Sequence, residues 1–268
     1  MTKFFLACLI LFLLYLLCLR GRKNHPGLEK LRGWNYAHRG LHDASKPENS
    51  LSAFRAAVEH GYGAEFDVHL MADGELAVIH DASLKRTAGA DVKIEDLTAP
   101  ELQNYHLEGT GETIPLFKDV LEVFAGKTPL IIELKPERGN HAALTKKVCE
   151  VLDSYTGVYC LESFDPRCIY WLKKNRPDLI RGQLAENYFR TNSKLPWYLK
   201  LILSFHLEYF LTRPDFVAYH FHHRKNLSNW IVRKFLGIQG VLWTLRNEQE
   251  QKACMDEGWI SIFENYLP

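Results

Sequence analysis

From residue 34 onward, short apolar runs alternate with amphipathic stretches, each of the length expected of a βα unit. The pattern predicts strands at Trp34–His38, Ala64–His69, Leu76–His80, Leu130–Leu134, Val158–Glu162, Ile180–Leu184, Phe216–Tyr219 and Gly240–Leu245, with a ninth at Trp259–Phe263. Helical periodicity fills most of the intervals. Ser50–His60 sets Leu51, Phe54, Ala57 and Val58 at i, i+3, i+6 and i+7, and Ala142–Tyr155 is a second such stretch. Repeated βα units over this length predict an α/β fold, a parallel (β/α)8 TIM barrel, with an open doubly wound sheet as the alternative. One strand is surplus, and the pattern places it among the last four runs without choosing between them.

Ahead of this region lies an uninterrupted apolar run, Phe4–Leu19, between Lys3 and the basic cluster Arg20-Gly21-Arg22-Lys23. Crossing a bilayer core takes about 20 residues, and flanking Lys and Arg that snorkel, or a thinned membrane, extend the reach of a shorter run. The run therefore predicts a hydrophobic helix before the barrel that acts as a single-pass N-terminal membrane anchor. A cleaved signal peptide is the rival, but no pair of small residues follows the run. The excess of Arg and Lys after the run predicts a cytoplasmic main domain. The expected organisation is an anchor with basic flank at 1–23, a linker at 24–33 and a barrel at 34–268 with an apolar insert at 186–213.

Composition narrows the classes. With 47% hydrophobic and 24% charged residues, the chain has material for one large core. A formal net charge of +1, without Lys/Arg runs interleaved with aromatics, argues against nucleic acid as a partner. The six cysteines lack CxxC or zinc-type spacing, and nothing in the pattern calls for a protein partner.

Ionisable residues collect at the predicted strand ends. His38 and Arg39 end the first strand, Glu65 and Asp67 lie late in the second, His80-Asp81 ends the third, and Glu133 and Lys135 end the fourth. Catalytic groups of such barrels sit on this rim. Residues two apart share a strand face, so Glu65 and Asp67 point together, and Glu133 in an apolar strand is costly unless paired or bound to a cation. Three convergent carboxylates suit a hard divalent cation, Mg²⁺ or Ca²⁺. Arg39 and Lys135 are phosphate-binding cations, and His38 and His80 supply an acid/base pair.

The series His38-Arg39-Gly40, Pro47-Glu48-Asn49-Ser50, Glu65-x-Asp67-Val68, His80-Asp81, Glu133-Leu134-Lys135 and Trp243-Thr244 resembles, in order, the motifs of the glycerophosphodiester phosphodiesterase family. The resemblance implies a barrel hydrolase that cleaves glycerophosphodiesters to glycerol phosphate and an alcohol with Mg²⁺ or Ca²⁺ bound. It implies His38 and His80 as the acid/base pair and Glu65, Asp67 and Glu133 as metal ligands. Arg39 and Lys135 would hold the phosphate, and Trp243 would line the substrate pocket. A related phospholipase D-like or phosphoinositide-cleaving barrel is the alternative enzyme. A non-catalytic, membrane-tethered protein that binds lipid head groups is the alternative of another class.

Three features depart from the family pattern. The N-terminal run implies membrane residence, and with it lysophospholipids as substrates. The insert 186–213, with Leu195-Pro196-Trp197-Tyr198-Leu199-Lys200-Leu201-Ile202-Leu203, reads as a helix packed on the barrel wall or as a lid that admits acyl chains. His220, His222 and His223 follow the seventh predicted strand, where exposed loop histidines or a second metal site are the two readings.

Overall fold

The computed structural model describes residues 1–23 and 25–268; Asn24, the first residue of the expected linker, lies outside the described residues. The strands are β1 (Asn35–His38), β2 (Gly63–Leu70), β3 (Leu76–Val78), β4 (Leu130–Leu134), β5 (Tyr159–Ser163), β6 (Arg181–Ala185), β7 (Phe216–His220), β8 (Gln239–Leu245) and β9 (Ile260–Phe263). Because β1 pairs in parallel with both β2 and β9, eight strands close into a ring in the order β1-β2-β4-β5-β6-β7-β8-β9. Closure excludes the doubly wound alternative and establishes the (β/α)8 barrel.

The surplus strand is β3. It runs antiparallel to β2, pairing Val68 with Val78 and Leu70 with Leu76. This corrects the expectation that Leu76–His80 was the third barrel strand and that the surplus lay late in the chain. The reason is the tight turn at Asp73-Gly74, where Gly74 has φ +83, a conformation that folds the chain back as a hairpin and leaves no room for a crossover helix. The third barrel strand is β4.

The helices are α1 (Thr2–Cys18), α2 (Leu51–Glu59), α3 (Lys85–Ala88), α4 (Phe117–Phe124), α5 (His141–Leu152), α6 (Pro166–Asn175), α7 (Trp197–Ser204), α8 (Tyr209–Thr212), α9 (Leu227–Trp230) and α10 (Glu248–Asp256). One hydrophobic layer lies between the ring and its helices, where Phe54 of α2 and Phe124 of α4 meet Phe66 of β2. A second fills the ring with Tyr36, Ile131, Cys160, Phe216 and Val241. Gly182 is required there, because a Cβ at that position would run into the Phe216 ring.

The membrane anchor is corrected. Among the described residues no helix is long and apolar enough to cross a membrane. At a rise of about 1.5 Å per residue, α1 spans roughly 26 Å, short of the roughly 30 Å of a bilayer core. The basic flank is taken up by the barrel and cannot prolong the helix. Leu19 is fully buried, Arg213 Nη1 donates to the carbonyls of Leu17 and Arg20, and Arg22 forms a bidentate pair with Asp215 at 2.6 Å. With the span goes the basis for a single-pass, cytoplasm-facing topology.

The insert holds α7 and α8. Its inner residues pack on the barrel wall, with His206 and Tyr209 fully buried, while Trp197, Tyr198 and Phe210 face outward. The His206 ring lies 4.9 Å from that of Tyr209 and 5.4 Å from that of Tyr219. Neither His206 nitrogen has a hydrogen-bond partner, and burial pushes its pKa down to about 3. The folded state therefore holds His206 neutral, while the unfolded chain takes up a proton below about pH 6.5, so stability is lost as pH falls from about 6.5 toward 3. His206→Phe is expected to remove on the order of 2 kcal/mol of the stability difference between pH 8 and pH 5. Denaturant melts of both proteins at the two pH values check it, and an unchanged difference sinks it.

Candidate active site

Parallel register builds the site. Asp67 on β2 is level with Glu133 on β4, and Glu133 with Glu162 on β5, so three acids sit side by side in one layer of the barrel interior. Glu65 lies one step lower on the same face, level with His38 on one side and with Ile131 of the apolar fill on the other. All four carboxylates are buried. Oxygens of Glu65, Asp67 and Glu133 lie within 4.8 Å of one another.

Neighbours decide how these acids share charge. Burial raises Glu65 well above the usual carboxylate range, and the charges of Asp67, Glu133 and Glu162 push it further. Burial also pushes Glu133 up to about 7, although Lys135 draws it down. Burial works against Asp67 as well, but Lys135, His80, Arg39 and the Asn49 amide outweigh it, and Asp67 ends below its ordinary value. Lys135 Nζ is 3.1 Å from Glu133 and 3.5 Å from Asp67. The Asn49 amide donates to Asp67 Oδ2 at 3.0 Å, while Asp67 Oδ1 has no hydrogen-bond partner. Such packing keeps part of the set protonated unless further positive charge arrives. An all-oxygen donor set, with Asp67 Oδ1 accepting no hydrogen bond and met only by Lys135 at 3.5 Å, fits a hard divalent cation.

Both expected histidines reach this layer, by different routes. His38 ends β1, with Nε2 3.8 Å from Glu65 and Nδ1 3.2 Å from Glu264. His80 arrives from the hairpin after β3, with Nδ1 2.6 Å from Asp81. Burial lowers the pKa of each despite these carboxylates. Holding Nδ1 against an acid favours the tautomer with its proton there and leaves Nε2 for the cavity. Arg39, turned into the rim at φ +56, donates to Glu48 at 2.9 Å and lies 3.7 Å from Asp67.

A cavity of about 360 Å³ opens above, lined by His38, Arg39, Glu65, His80 and Glu133 and by Trp243. The structure thus brings every expected site residue to one rim: Asp67 and Lys135 sit beneath and beside the cavity, and the others line it. Trp243 meets Phe164 and His220 edge-on, with centroids 5.6 and 4.9 Å away. The histidine cluster is divided by exposure: His222 is exposed and His220 and His223 only partly so, and both His220 and His222 line the cavity. Among the described residues, the one group of three or more acids, histidines or cysteines spaced for a metal is Glu65, Asp67 and Glu133.

Sequence reasoning missed Glu264, Glu162, Arg86 and the tasks of Glu48 and Asn49. Glu264 follows β9 and Glu162 is late in β5, so the strand-end rule pointed to both. Glu48 binds Arg39 and Arg86 at 2.7–2.9 Å, and Arg86 also holds Asp81 at 2.6 Å. Nothing in the pattern marked Arg86.

Comparison with known proteins agrees with this geometry. The model of the glycerophosphoryl diester phosphodiesterase family matches residues 38–267. The chain belongs to that family. A glycerophosphodiester phosphodiesterase from Caldanaerobacter subterraneus is 30% identical over 235 residues, covering 83% of this chain and 89% of that protein. A lysophospholipase D from Rattus norvegicus is 34% identical over 307 residues, covering 98% and 91%. A phosphodiesterase from Oleispira antarctica, solved in complex with the product sn-glycerol-3-phosphate, matches with TM-score 0.73 over 91% of this chain and 96% of that chain. At 23% identity this last likeness concerns the fold. As a glycerophosphodiester phosphodiesterase, a phosphoric diester hydrolase, the chain is an enzyme.

Glu264 also binds His42 at 3.2 Å and Arg246 at 3.0 Å, so it is fixed from three sides. Its amide analogue keeps the shape and loses the charge that orients His38. Glu264→Gln is expected to lower kcat on a glycerophosphodiester about ten- to a hundredfold with KM little changed. Steady-state kinetics check this, and a loss confined to KM contradicts it.

Proposed function

We infer that this phosphodiesterase hydrolyses glycerophosphodiesters, lysophospholipids among them, to glycerol phosphate or lysophosphatidate and an alcohol. The observation that carries this reading is the buried Glu65, Asp67 and Glu133 cluster flanked at one rim by His38 and His80. The names of the relatives, a glycerophosphodiester phosphodiesterase and a lysophospholipase D, support the substrate class.

Glu65, Asp67 and Glu133 would hold a divalent cation, Mg²⁺ or Ca²⁺, in this reading. When bound, it supplies Lewis-acid stabilisation to the phosphoryl oxygens. Arg39 and Lys135 bind and orient the phosphate, and the salt bridges that fix them keep their charges at the rim. The reaction needs one proton removed and one delivered. As the nucleophile's oxygen bonds to phosphorus, one of His38 and His80 takes its proton. The other gives a proton to the alkoxide released when the second P–O bond breaks. Both rings are pinned through Nδ1, which suits transfer at Nε2. Trp243 forms an aromatic wall for the substrate beside the reacting groups.

Release of glycerol phosphate is expected to fall to background with EDTA and to recover with Mg²⁺ or Ca²⁺. His38→Ala and Glu65→Ala are expected to lower kcat/KM at least about a hundredfold. Assays of glycerol phosphate formation check all three, and activity that survives all three treatments refutes the reading.

A further inference from the structure

A second cavity, of about 740 Å³, lies beside the first, and Phe164 lines both. One side comes from the turn after β5, with Phe164 and Pro166. The other comes from the insert: Leu195 just before α7, and Leu199 and Leu203 on it, recur every fourth residue and form one apolar stripe. All three leucines are half-buried, so apolar surface there remains open to water. The polar groups at the edge are already engaged. Asp165 binds Arg167 at 2.6 Å, and Glu186 accepts from Thr191 at 3.1 Å. The groove therefore offers an occupant apolar contact and few free hydrogen bonds.

We propose that this groove holds the single acyl chain of a lysophospholipid whose phosphodiester sits at the charged rim. The proposal rests on the hydrolase reading above. Continuity through Phe164 points to the occupant, since one molecule carrying both a phosphate and an apolar chain can reach the rim and the groove at once. A single groove takes a single chain. The insert is then a specificity element that couples head-group chemistry to chain length.

The test uses the full chain with Mg²⁺ and compares glycerophosphocholine with lysophosphatidylcholines of six, eight and ten acyl carbons, all kept monomeric. The kcat/KM is expected to rise with chain length, by about tenfold or more over the series. Leu199→Gln with Leu203→Gln should flatten that rise. Leu199→Trp, which narrows the groove and keeps it apolar, should make kcat/KM peak before ten carbons. A flat series, or the same rise in every variant, overturns the proposal. Calorimetric binding of decylphosphocholine reads the groove without turnover: about tenfold weaker binding to the Gln variant supports it, and equal affinity overturns it. Loss of turnover on every substrate, glycerophosphocholine included, counts against the hydrolase reading, and the calorimetry then decides the groove.

Discussion

Four carboxylates are confined to the upper layers of a barrel whose lower interior is hydrocarbon, and much of the rim follows from that. Ile131 and Cys160 are level with each other in the fill below, and Glu133 and Glu162 are level with each other one step above. Buried like charges repel and lack water to screen them, so the fold must supply cations, amide donors or protons to each. Lys135 and Asn49 serve Asp67, Lys135 also serves Glu133, and burial pushes Glu65 and Glu162 well above the usual carboxylate range.

The same demand explains why several motif residues recur close together in the chain. In Pro47-Glu48-Asn49-Ser50, Glu48 clamps two arginines, Asn49 serves Asp67, and the Ser50 hydroxyl accepts from the Ala53 amide to start α2. Glu48 and Asn49 thus fix different partners of the rim, and Ser50 fixes the helix that follows. The two histidines obtain their orientation from outside the acidic layer, one from the last strand and the other from the hairpin. Electrostatics at the centre and orientation at the edge are thus handled by separate groups.

Much of this was legible in the sequence. Period and length located all nine strands within a residue or two, since each buries an apolar run that nothing else explains. The role of Leu76–Val78 was misread because a hairpin arm and a barrel strand of that length carry the same apolar pattern. The deciding signal, Asp73-Gly74, was available in the chain. Of the site, His38, Arg39, Asp67, His80, Glu133 and Lys135 could be read because they end or follow apolar runs, whereas Glu65, expected late in its strand, is the third residue of β2 and lies a step below them. Glu264 and Glu162 obey the same rule but belong to no quoted motif. Arg86 sits on the short helix α3, whose position over the rim no local pattern reveals. Phe4–Leu19 misled because hydropathy counts residues and cannot see that Arg22 and Leu19 are held by the barrel, partners nearly 200 residues away.

The ring closes where the first strand meets the last. His38 ends β1, and the acid that orients it, Glu264, follows β9, a separation of 226 residues. During synthesis a nascent chain can lay down the acidic layer once β5 is made, yet His38 has no Glu264 until β9 has been made and passed. The rim therefore acquires its complete set of ionisable groups only after β9 has been made, and a chain stopped before Glu264 would carry the acids without the finished histidine.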